Sequence, residues 1–131
     1  MATPISAELA TRWIEDGTAE KILDFRQAEA IARLKPATAK LRHHSISATP
    51  GCHHIWLTLP EPWRATDYTE EAKRRGIVIA PAEIFVAGRS NAPRAVRICI
   101  GMPRQRKKLD YALDLLVEIL LSLTMRDITM V

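Results

Sequence analysis

The chain has 131 residues, 47% hydrophobic and 26% charged, the proportions of one globular domain with a buried core. Lys and Arg number 19 against 15 Asp and Glu, and the net charge of +4 favours an anionic ligand without specifying nucleic acid. Asp114 and Glu118 interrupt the longest apolar run, so no segment spans a membrane; no signal peptide is read, and Cys52 and Cys99 form no CxxC pair, so a cytoplasmic chain with reduced thiols is expected.

Ser6 is placed to cap a first helix running to about Asp16, with Ile5, Leu9, Trp13 and Ile14 near one side. Gly17 ends that helix and Thr18 caps a second, which carries Ile22, Leu23, Ile31, Leu34 and Leu41 and meets a kink or fresh start at Pro36. Ser45 to Gly51 is turn-like. The period then changes to two: Ile55, Leu57 and Leu59 share one strand face, and His54, Trp56 and Thr58 the other. Asp67 and Glu70 resemble a capping box, and the helix they open closes at Gly76. Ile77–Ala80 and Ala95–Ile100 read as two further strands, separated by a polar loop from Gly88 to Pro93. A last helix runs from about Lys107 to Leu123 with a narrow polar stripe of Asp110, Asp114, Glu118 and Ser122. Its other sides are apolar, which predicts cover beyond a three-stranded sheet, from another chain or a missing domain.

The resulting order is ααβαββα, an α+β fold with helices packed on a three-stranded, mainly antiparallel sheet. Residues 1–131 form a single domain, in which N-terminal helices over 6–42 lead into an α/β sandwich over 52–123.

Arg97 is the foremost candidate for chemistry. On the strand Ala95–Ile100 it points away from Val96, Ile98 and Ile100, where its planar fork can meet a carboxylate or phosphate. A solvent-facing arginine or a structural ion pair is the plainer reading of the same pattern. His43-His44, Cys52 and His53-His54 suggest a metal, but neighbours on a strand face opposite ways and no spacing organises them, so no metal site is expected. Lys73-Arg74-Arg75 complements a helix C-terminus. Arg104, Arg106, Lys107 and Lys108 precede a helix start, where positive charge is unfavourable. No DNA-recognition pattern accompanies either cluster. GxSxG, P-loop, HExxH and GxGxxG motifs are absent, and Trp56, Trp63 and Phe85 read as core residues.

From His53 onward the ordered motifs carry a resemblance: His54-Ile55-Trp56-Leu57-Thr58-Leu59-Pro60, Trp63, Ala72 to Gly76, Ile77-Val78-Ile79-Ala80-Pro81, Phe85, then Val96-Arg97-Ile98 and the closing helix. They resemble the C-terminal small domain of fold-type I, pyridoxal-phosphate-dependent aminotransferases, most closely that of MocR-subfamily GntR-type transcriptional regulators. Trp13-Ile14-x-x-Gly17 and the series Arg26, Glu29, Arg33 resemble the segment that enters this domain. Where such proteins carry Pro-Gly before the Phe, this chain has Pro81-Ala82, and alanine resists a positive φ.

The resemblance implies that Arg97 binds the α-carboxylate of an amino-acid ligand. It also implies that pyridoxal 5'-phosphate belongs to the parent protein and is not held by this chain alone, because the Schiff-base lysine and phosphate cup belong to a large domain. No catalytic residue is assigned, and Lys35 and Lys40 lie in the wrong part of the pattern. The expected partners are that missing large domain, an upstream DNA-binding domain through which alone the parent meets DNA, and a second copy in a homodimer. The chain thus reads as a fragment of a longer protein and not as an enzyme in isolation. The leading reading is the effector-sensing domain of a regulator; the alternatives are the small domain of an aminotransferase and a stand-alone dimerising module.

Overall fold

The computed structural model describes residues 3–88 and 90–129, with side chains as far as Ser122. Helix α1 spans Pro4–Glu15 and α2 spans Thr18–Lys40. Strands β1 (Ile46–Ala48) and β2 (His54–Thr58) follow, then α3 (Ala65–Arg74), the short β3 (Ala80–Pro81), a 3-10 turn over Ala82–Phe85, β4 (Ala95–Cys99) and α4 (Arg106–Thr129).

The sheet is antiparallel throughout, in the order β1-β2-β4-β3, with four strands where three were expected. The additional strand is β1, inside the segment read as a turn. Ile46 is its one branched residue, too little to set a pattern, yet Ile46, Ser47 and Ala48 pair with Leu57, Trp56 and Ile55. The turn itself is shorter and lies where Thr49-Pro50-Gly51 placed it, closed by the Cys52 amide donating to the Thr49 carbonyl at 3.0 Å. The expected strand Ile77–Ala80 contracts to an edge of two residues. The Ile77 amide is drawn back to cap α3 on the Ala72 carbonyl at 2.9 Å, and only Ala80 and Pro81 pair with β4, opposite Arg97 and Val96. Ile77 and Ile79 still pack against the core while Val78 is exposed, so the alternation is that of a strand without a ladder.

Other boundaries shift for local reasons. Thr3, not Ser6, caps α1: its hydroxyl accepts from the Ser6 amide, with Pro4 opening the helix. Asp16 accepts from the Thr18 amide at 2.9 Å, which serves the start of α2 in place of a Thr18 cap. α2 continues through Pro36 as one helix, without a fresh start. α3 begins at Ala65 with no side-chain cap, so Asp67 lies in its first turn.

One face of the sheet forms the core. Ile55, Leu57 and Leu59 of the β2 run and Val96, Ile98 and Ile100 of the β4 run meet Ala37 and Leu41 from α2, Tyr68 and Ala72 from α3, and Leu109, Leu113, Leu116, Ile119 and Leu120 from α4. Much of the apolar surface of α4 is therefore covered by the chain's own α2 and α3 as well as by the sheet, so less outside cover is needed than expected, although Leu121 stays 51% exposed. Its polar stripe is partly paired: Asp114 with Lys40, and Glu118 with Arg75 at 2.8 Å. The Tyr68 hydroxyl donates to the Leu116 carbonyl at 2.9 Å.

A large share of the exposed apolar surface lies on an arm made of α1 and the first half of α2. α1 buries no residue, and α2 buries only Ala30, Arg33 and Ala37. Ile5, Trp13, Ile14, Leu23 and Phe25 all stand exposed.

Candidate functional site

The second face of the sheet, opposite the buried core, holds Arg97. The amide links Leu59 to Arg94 and Ile100 to His53 fix the ladder's alternation. Trp56–Arg97 and His54–Cys99 are then the non-hydrogen-bonded pairs, whose side chains approach most closely. Arg97 is half-buried, pointing opposite to Val96 and Ile98 as its strand position requires.

Its guanidinium is held by an aromatic pair. The Phe85 ring lies against it, with Cζ 4.2 Å from the ring centroid, and Trp56 meets Phe85 edge-on at 5.4 Å between centroids. Nε of Arg97 is buried and has no hydrogen-bond partner among the described residues. The ion pairs of the described residues also leave Arg97 out. Trp63 is a core residue as expected, whereas Trp56 and Phe85 are not: they line the Arg97 face. Ala82 avoids a positive φ by opening the 3-10 turn, and that turn delivers Phe85 to Arg97.

Beside Arg97 the face continues into a cleft of about 410 Å³ between α2 and the sheet, lined in part by Phe25, Arg26, His54, Cys99 and Met102. Burial, then the neighbouring charges of Arg97 and His53, holds His54 below the usual imidazole pKa and so favours its neutral form. His53 packs against Gly101 so closely that a Cβ there would fall 2.9 Å from Nδ1. His43 accepts from Arg42 Nε at 2.9 Å, and among the described residues no three His, Cys, Asp or Glu side chains converge as metal ligands.

Sequence reasoning missed the ionic latch behind this cleft. Arg33 is 7% exposed; it donates to Glu29 at 2.7 Å and to the carbonyls of Ile100, Pro103 and Arg104. Glu29 also pairs with Arg106 at 2.6 Å, and the Arg106 and Arg33 guanidinium groups together lower its pKa to about 2. The basic cluster before α4 is thereby partly explained: Arg106 is anchored to α2. In the other basic cluster, Arg74 and Arg75 both pair with Glu71.

The folded chain has recognisable counterparts. It superposes on an archaeal alanine:glyoxylate aminotransferase with a TM-score of 0.68 at 19% identity, covering 85% of this chain and 28% of that one. The fold is that of an aminotransferase small domain. A probable N-succinyldiaminopimelate aminotransferase from Thermus thermophilus gives a TM-score of 0.57 at 21% identity, over 72% of this chain and 24% of that one. In sequence, the aminotransferase-like domain is 28% identical over 122 residues to an uncharacterized HTH-type transcriptional regulator, YdeF, of Bacillus subtilis (strain 168). That match takes in 93% of the chain and only 26% of the regulator. No protein-family model matches. The resemblance drawn from the motifs therefore holds at two levels, aminotransferase-like in fold and regulator-like in sequence. Among the described residues no helix is long and apolar enough to cross a membrane.

Proposed function

We propose that this chain is the aminotransferase-like, effector-sensing domain of a longer transcriptional regulator, and that Arg97 binds the carboxylate of an amino-acid ligand. The observation that carries the ligand role is the guanidinium of Arg97: set over the Phe85 ring, on the sheet face opposite the core, with Nε unpaired among the described residues. A fork held flat and not already neutralised is suited to two parallel, charge-assisted hydrogen bonds from a carboxylate.

The cofactor belongs elsewhere in that longer protein. Pyridoxal phosphate supplies an aldehyde that a lysine amine must hold, and Lys21, Lys35, Lys40, Lys73, Lys107 and Lys108 all lie on helices α2, α3 and α4, none on the sheet. Lys40 is engaged by Asp114. With none of these lysines on the strand face that holds Arg97, this chain's proposed share of the work is to orient the ligand's carboxylate and close over it. The missing large domain rests against the apolar arm of α1 and α2, and an upstream domain contacts DNA. Closure changes regulation only if the ligand makes better contacts in one arrangement than the other, and Arg97 supplies such a contact.

The test is Arg97→Ala in the full-length regulator. Loss of the amino-acid response with ligand-free DNA binding intact supports the reading; an unchanged response overturns it. The aminotransferase folds of the structural neighbours favour one rival, the small domain of an enzyme acting on an amino acid and a 2-oxo acid. Transamination by the full-length protein, without DNA binding, decides for that rival.

A further inference from the structure

Resting on the carboxylate reading of Arg97, the geometry points to Phe85 as its positioning residue, the ring that holds the guanidinium flat and aims the end of its fork at the ligand. A guanidinium has two kinds of surface. Its faces are weakly hydrated and stack on aromatic rings, while its edges carry the N–H donors. Phe85 lies under the guanidinium carbon, with Cζ 4.2 Å from the centroid, and a ring brings no charged acceptor that would take the donors a carboxylate needs. Nε is shut away from solvent without a partner, which leaves the terminal nitrogens as the edge a ligand meets.

The ring is itself fixed. Trp56, the cross-strand neighbour of Arg97, meets Phe85 edge-on at an interplanar angle of 77°. The 3-10 turn Ala82–Phe85 follows directly from β3, whose Ala80 pairs with Arg97. Backbone and side chain thus tie Phe85 to the same strand position from two directions. An acidic residue in this place would hold the arginine equally well but would neutralise it and compete with the ligand. An aromatic ring orders the cation and leaves its charge available.

Phe85 is 42% exposed, so exchanging it need not unfold the chain. The experiment follows the backbone amide signals of β2 and β4 in the 131-residue chain by NMR, together with the Arg97 Nε–H wherever Arg97 is present, while propionate, a bare monocarboxylate, is added. Phe85→Leu, Phe85→Tyr and Arg97→Ala are compared with the original sequence. Phe85→Leu is expected to weaken propionate binding about three- to five-fold and to remove the ring-current shift of the Arg97 side chain, at an unchanged melting temperature. Phe85→Tyr, which keeps the stack, should restore binding to within about twofold of the original. A purely structural ring would move the melting temperature and leave propionate affinity alone. Should Phe85→Leu bind propionate as the original chain does while Arg97→Ala does not, the positioning role falls and the carboxylate reading stands. If Arg97→Ala binds as well as the original, or neither binds, the carboxylate reading fails and takes this inference with it.

Discussion

Arg33 and Pro103 are separated by 70 positions in the chain, yet Nη1 of the arginine donates to the proline carbonyl and, at 3.0 Å, to that of Ile100. One buried guanidinium thereby ties the middle of α2 to the turn between β4 and α4. The turn's carbonyls have exchanged water for this cation, and removing it leaves them desolvated and unpaired. Arg33→Ala should therefore cost about 3 kcal/mol of folding stability, read as a lowered urea midpoint. Arg33→Lys should recover only part of it, because a point charge cannot span three carbonyls and Glu29 in one plane. A lysine variant as stable as the original would show that charge, not the fork, does the binding.

The second member of the latch sets an acid limit. Glu29 is held at a pKa of about 2 by Arg106 and Arg33, against an ordinary value of 4.5. A carboxylate with a depressed folded pKa adds stability that is complete above the unfolded value and is lost as pH falls through the folded one. Stability should hence decline between about pH 4.5 and 2, and Glu29→Gln should flatten that part of the profile. Thermal melts of both chains at successive pH values are the check, and parallel profiles would argue against the latch.

How much of this was legible in the sequence depended on whether a residue's partners were local. Alternation alone placed Ile55, Leu57 and Leu59 on the core side and Arg97 on the other, because a strand's period needs no knowledge of its neighbours. β1 was missed because Ser47 and Ala48 are small and polar or neutral, and only the Trp56 and Ile55 they lie beside make them a strand. The apolar sides of α4 were legible, but not that α2 and α3 cover them. Arg33 illustrates the limit: an i,i+4 partner of Glu29 on an alanine-rich helix reads as a surface pair, and its burial follows from the carbonyls of a distant turn. Phe85 read as core for a similar reason, since an aromatic ring stacked on a cation has the same sequence signature as one packed on leucines.

The Arg97 face also makes a prediction about His54. Its pKa is lowered first by burial and then by the positive charge of Arg97. Because the unfolded histidine takes up its proton at higher pH than the folded one, this group's contribution to stability falls as pH drops below 6.5. Followed by NMR, the imidazole should titrate below 6.5, and Arg97→Ala should move its midpoint upward without fully restoring it, since burial remains. A midpoint indifferent to Arg97→Ala would mean that the two side chains do not share one electrostatic environment.

The arm should be the least stable part of this chain. Local opening costs little where few apolar contacts hold the backbone, and α1 contributes no buried residue. Along α2 burial begins at Ala30, where the helix first reaches the body, and continues through Arg33 and Ala37. Amide hydrogen exchange should accordingly be fast over residues 4–28 and slow from about Ala30 onward, with a boundary inside a single continuous helix. If, as proposed, another domain of a longer protein rests against Ile5, Trp13, Ile14 and Phe25, protection in that protein should extend back through α1. Uniform protection of α2 in the isolated chain would mean that the exposed face finds cover even there, and a concentration dependence of that protection would identify the cover as a second copy of the chain.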